Sequence, residues 1–128
     1  MRKWLPLLAV ALAGCGGSSG DLLSIQVKGG PAHRDQTIVV QDNGQSTCNG
    51  GTSQDIGSEA LIDAREIERE VGDDAKRAAI YESTSRDATS YAVRTKDGAV
   101  RWDDRAGELP PVLSKAQLFA LQQGRKLC

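Results

Sequence analysis

Two turn sequences, Asp42-Asn43-Gly44 and Lys96-Asp97-Gly98, restrict the folds open to this chain more than any other feature. Each supplies residues that tolerate the positive φ of a tight hairpin, and each stands between short runs with strand character. Around the second, Tyr91, Val93 and Thr95 alternate with other side chains, and Val100 and Trp102 resume the alternation on the far side. That period of two predicts antiparallel strands with one face buried. Around the first, the β-branched run Thr37-Ile38-Val39-Val40 leads in, and Gln45 to Cys48 forms the return strand. Upstream, Leu23, Ile25 and Val27 alternate before a Gly29-Gly30-Pro31 turn, which adds a further strand.

Helical spacing separates and follows the hairpins. Ser58 is the expected N-cap, with Glu59 in the first turn and Ala60, Ala64, Ile67 and Val71 on one face beside Leu61. Gly72 either ends this helix or kinks it, with Ala75, Ala78 and Ala79 continuing a short second piece toward Tyr81. Asn49 to Gln54 and Glu82 to Thr89 read as loops. After the break at Asp103–Gly107, Pro111 suits the first turn of a final helix whose apolar arc contains Val112, Ala116 and Phe119, flanked by Leu113, Leu118, Leu121 and Leu127. The expected order is hairpin, helix, hairpin, helix. It predicts an α+β fold, an antiparallel sheet of four or five strands with two helices packed on one face.

The N-terminus carries a different signal. Met1-Arg2-Lys3 is a positive start, Trp4 to Leu12 is apolar, and small residues lead to Cys15. A membrane-spanning helix needs about 20 apolar residues, so this segment is too short, and Gly16-Gly17-Ser18-Ser19-Gly20 ends it. Leu12-Ala13-Gly14-Cys15 resembles the bacterial lipoprotein signal. The resemblance implies a signal peptide over residues 1–14, a diacylglycerol thioether on Cys15 and palmitate-type acylation of its new amino group. An ordinary cleaved signal with Cys15 merely nearby is the alternative. Two acyl chains anchor stably where one binds only reversibly. Residues 15–20 then form a flexible tether, and residues 21–128 form a single domain. The expected location is the cell membrane or outer membrane, facing the extracytoplasmic side.

Three cysteines are odd for an exported chain until Cys15 is assigned to lipid, which leaves Cys48 and Cys128 as a pair. An oxidising compartment favours a disulfide between them. A metal or redox pair is the competing reading, but the two are not C-x-x-C spaced and only His33 could add an imidazole. Without Arg2 and Lys3, 14 basic residues face 17 acidic ones, with no basic block of the kind that marks a nucleic-acid partner.

Catalytic patterns are sparse. His33, the only histidine, lies in the turn Gly29-Gly30-Pro31-Ala32-His33-Arg34-Asp35 without any nucleophile-elbow sequence, and reads as a surface turn residue. Asp73-Asp74 and Asp103-Asp104 match no calcium loop and read as helix-start and solvated-turn residues rather than metal ligands. Gly29-Gly30 and Gly50-Gly51 fit no phosphate-binding motif. Trp102, Tyr91 and Phe119 read as core, whereas Tyr81 has polar neighbours that leave it ambiguous. No cofactor or metal is expected, and no enzymatic activity.

Val27-Lys28-Gly29-Gly30, the Asp42-Asn43-Gly44 turn, Tyr91-Ala92-Val93 through Asp97-Gly98 to Trp102-Asp103, and Leu109-Pro110-Pro111-Val112-Leu113 together resemble the emfourin-type inhibitors of thermolysin-like metalloproteases. The resemblance covers most of Asp21 to Cys128. Where that family runs on from its Gly-Gly turn through an aromatic and a small residue, this chain has Pro31-Ala32-His33. Gly29 and Gly30 carry over as turn formers, and with His33 and Arg34 they are the candidate partner-contact turn. The expectation is a lipid-anchored, extracytoplasmic, non-catalytic binding domain, of which a proteinaceous protease inhibitor is the specific form. A structural or envelope-maintenance lipoprotein acting through protein assembly is the alternative.

Overall fold

Every alternating run becomes a strand, and the inward phase is the apolar one. The computed structural model describes residues 20–31 and 34–128, so the expected signal segment, Cys15 and His33 lie outside the described residues. Five strands follow the sequence pattern: β1 (Asp21–Gly29), β2 (Gln36–Gln41), β3 (Gln45–Cys48), and, later in the chain, β6 (Thr89–Thr95) and β7 (Gly98–Asp103). All pair antiparallel, with β1 at the centre between β2 and β6. One cross-strand row holds Ile38, Ile25, Val93 and Val100, each fully buried.

Two two-residue strands complete a seven-stranded sheet in the order β4-β3-β2-β1-β6-β7-β5, namely β4 (Gln54–Asp55) and β5 (Ile80–Tyr81). This corrects the expected four or five strands. Neither short strand has room for an alternation, and each forms only because a long strand offers it a free edge. β5 lies parallel to β7, pairing Ile80 with Arg101 and Tyr81 with Trp102, so the sheet is mixed rather than wholly antiparallel.

Three helices are present rather than the expected two, because the segment after Val71 forms a separate short helix: α1 (Ser58–Glu70), α2 (Gly72–Lys76) and α3 (Pro111–Leu127). Ser58 is the first helical residue rather than the cap. Gly57, at φ 86°, takes the cap position because a β-carbon disfavours that backbone, and its N–H donates to Asp55 Oδ1 at 2.7 Å. α1 and α2 meet at Val71, the short second piece that Gly72 foreshadows, and Ala78 at φ 52° then turns the chain into β5. Ala64, Ile67, Val71 and Ala75 from these helices join Val112, Leu113, Ala116, Phe119 and Ala120 of α3 against the inward residues of the sheet. The Val, Leu, Ile and Phe side chains among them each contribute on the order of 1.5–3 kcal/mol on burial. Lys115 on α3 bridges to Glu66 and, at 4.0 Å, to Asp63 of α1. The Glu66 carboxyl is held below its ordinary range by its hydrogen bond to Lys115.

Cys48 at the end of β3 and Cys128 just beyond α3 form a disulfide, with Cα atoms 5.5 Å apart. No helix among the described residues is long and apolar enough to cross a membrane.

Candidate functional site

The Gly29-Gly30 turn owes its shape to both glycines, at φ 73° and 74°. Any side chain at Gly30 would collide with Thr89 at the start of β6, so the turn is backed directly by a neighbouring strand. Asp35 Oδ1 accepts the Gly29 N–H at 3.3 Å, and Asn49 ties the base of the turn by accepting the Thr37 N–H at 2.8 Å. Arg34 is exposed and lines a cleft of about 240 Å3 with Val27, Thr89, Tyr91 and Leu121. Burial first, then the Asp104 carboxylate, pushes the Tyr91 phenol above its ordinary pKa, and Arg34 partly opposes this. Of the four residues expected to make the contact turn, Gly29, Gly30 and Arg34 therefore cluster at one end of the sheet, and His33 lies outside the described residues.

A second feature, missed by sequence reasoning, lies on the outer face of the sheet. The helices cover only the apolar side. On the other, Thr37, Gln26, Ala92 and Arg101 form one cross-strand row, Ser24, Arg94 and Ala99 the next, and Lys28 with Ser90 a third. A groove of about 490 Å3 opens over this face between Gln26, Lys28, Ser90 and Arg101 and the loop carrying Glu82, Ser83, Ser85 and Arg86. The signal was present in the alternation: the outward phase of β1, β6 and β7 holds Lys28, Arg94 and Arg101.

Asp103 holds the wall of that groove. The sequence reading placed it in a solvated turn, yet it is only 6% exposed. Its carboxylate accepts the Ser83 N–H at 2.7 Å, the Ser83 hydroxyl at 2.9 Å and the Arg105 N–H at 2.9 Å. Burial alone would raise its pKa, but the hydrogen bonds from Ser83, Arg105 and Ala106 outweigh that and hold it below its ordinary 3.8. Through these hydrogen bonds Asp103 pins the 82–88 loop at Ser83. Asp104 Oδ1 adds a second tie by accepting the Thr89 N–H at 3.0 Å. Asp74, by contrast, pairs with Arg77 at 2.6 Å and accepts the Tyr81 hydroxyl at 2.9 Å, which gives the ambiguous Tyr81 a structural partner.

Asp103→Asn is expected to cost about 1–3 kcal/mol at neutral pH, since one carboxylate oxygen loses its acceptor role. A group whose folded pKa lies below its unfolded value stabilises the fold above the unfolded value and ceases to as pH falls through the folded one. The parent should therefore lose part of its stability below about pH 4, and Asp103→Asn should lack that component in urea titrations across pH.

No metal-holding cluster of three or more His, Cys, Asp or Glu occurs among the described residues. Comparison with protein-family models, with curated proteins and with solved structures finds no match.

Proposed function

We propose that this chain is a lipid-anchored, extracytoplasmic, non-catalytic binding domain that presents the Gly29-Gly30 turn to a protein partner, with protease inhibition as its specific form. The supporting observation is the course of β1. It starts at Asp21, where the tether would join the domain, and ends at Gly29, so at about 3.4 Å per residue the turn stands roughly 27 Å from Asp21. The turn thus lies at the end of β1 remote from the tethered end, and a flexible tether leaves it free to meet a partner. The turn is suited to contact because it is held by backbone geometry and by Asp35, Asn49 and Thr89 rather than by the partner, which limits the ordering cost of association.

Titration of thermolysin with the full-length chain tests the inhibitor form. A one-to-one loss of protease activity, relieved at least about tenfold by Arg34→Glu through the lost contact, is the expected result. In cells, Cys15→Ala should move the chain from the membrane fraction to the soluble fraction. Thermolysin left fully active, with cross-linking only to envelope-assembly proteins, would transfer the reading to a structural lipoprotein.

A further inference from the structure

The outer sheet face differs in charge from the rest of the molecule. From Asp21 to Cys128 the chain carries more acidic than basic residues, and α1 alone bears Glu59, Asp63, Glu66, Glu68 and Glu70 against Arg65 and Arg69. On the outer face the balance reverses. Lys28, Arg94 and Arg101 project from β1, β6 and β7, and Arg86 stands at the groove rim. Among the described residues the ion pairs engage Arg77, Lys96 and Lys115 and leave these four cations unpaired. Asp103 shares this surface, but Ser83 and Arg105 occupy its carboxylate, and Glu82 is the other acid on the groove wall.

Shape narrows the occupant. Between the cations lie Ser24, Ser90, Ala92 and Ala99, side chains small enough to let another backbone approach, with Gln26 and Thr37 as hydrogen-bonding groups beside them. Trp102 is buried, so no indole lies on this face to stack on a sugar ring or enter a bilayer. The groove is concave, which a planar membrane surface does not fill.

Spacing narrows it further. Arg94 sits opposite Ala99, two residues before Arg101 on the adjacent strand. With strands about 4.8 Å apart and side chains on one face about 6.8 Å apart, the two arginine Cα atoms are roughly 8 Å apart. An extended chain repeats its own same-side residues at nearly that distance.

We propose that this face binds an extended acidic polypeptide segment, with Arg94 and Arg101 holding two alternate carboxylates and Lys28 a third. Planar guanidinium groups suit bidentate carboxylate contacts. Lys28 immediately precedes the Gly29-Gly30 turn, but Arg94 and Arg101 lie away from it on β6 and β7, so loss of peptide binding in their variants bears on this proposal and not on the turn.

The test uses the full-length chain in neutral detergent and a fluorescein-labelled peptide of about ten residues, alternating glutamate and serine, long enough to cross the sheet. Its counterpart alternates glutamine and serine. Raised anisotropy is expected for the glutamate peptide only, about tenfold weaker for Arg94→Gln and for Arg101→Gln, and weakened by raising salt to about 0.3 M. Arg125→Gln, in the last turn of α3, should leave binding unchanged, and all three variants should melt with the parent. Equal binding of the two peptides, or no binding of either, overturns the proposal without reliance on any variant. So does Arg101-dependent attachment to micelles containing phosphatidylglycerol with no preference for the glutamate peptide, which would make the face a lipid contact.

Discussion

Replacing both Cys48 and Cys128 by serine is expected to lower the unfolding free energy by about 4 kcal/mol, measured by urea titration followed by far-UV circular dichroism. The two residues are separated by 80 positions. Cross-linking a loop of that length removes unfolded-chain entropy corresponding to about 4.5 kcal/mol at most. For a domain of this size, whose whole stability is typically about 5–15 kcal/mol, such a loss moves the chain close to the unfolding threshold. The native-state consequence should be local. Cys128 holds the end of α3 to β3, and α3 reaches the sheet mainly through β1, β2 and β3. Amide exchange should therefore accelerate most in the last turn of α3, around Gly124 to Leu127. A change below about 1 kcal/mol would mean that the reduced unfolded chain already holds these ends together.

Trp102→Ala should cost about 3–5 kcal/mol, the range for truncating a large aromatic in a packed core. Trp102 is 1% exposed on β7. Its ring stacks on Tyr91 of β6 with centroids 5.4 Å apart, and its indole N–H donates to Gln117 Oε1 of α3 at 2.7 Å. Truncation opens a cavity and leaves the Gln117 amide oxygen without its donor. Trp102→Phe separates the two effects, because it keeps most of the ring contact and loses only the hydrogen bond. That variant should cost about 1–2 kcal/mol, and equal losses in both variants would assign most of the effect to the Gln117 contact.

The long strands were legible because burial of one sheet face writes a period of two into the chain, as at Leu23, Ile25 and Val27. Both hairpin turns were legible for a similarly local reason. Asn43 Oδ1 accepts the Gln45 N–H at 2.9 Å, Thr95 Oγ1 accepts the Asp97 N–H at 3.1 Å, and Gly98, at φ 138°, packs against the Ala75 carbonyl where a β-carbon would not fit. The disulfide was expected from the cysteine count and from the oxidising compartment that a lipoprotein-like N-terminus would imply. What stayed hidden depends on contacts distant in sequence. Gln54-Asp55 and Ile80-Tyr81 are strands only because β3 and β7 lie beside them. Asp103 is buried because Ser83, 20 residues earlier, folds over it. Arg94 and Arg101 share a face through the legible β6–β7 hairpin, but Lys28 joins them only once β1 is known to pair with β6 in the observed register, which no local pattern specifies.

The two shortest strands bear on how copies of this domain tolerate crowding. An open sheet presents two rows of unpaired backbone groups, and a long row is a template on which another chain can add. Here the outermost positions belong to β4 and β5, two residues each, lying over the edges of β3 and β7. Two copies meeting side by side find too few consecutive donors and acceptors to nucleate a shared sheet. The domain can therefore be packed densely without its edges becoming seeds for polymerisation.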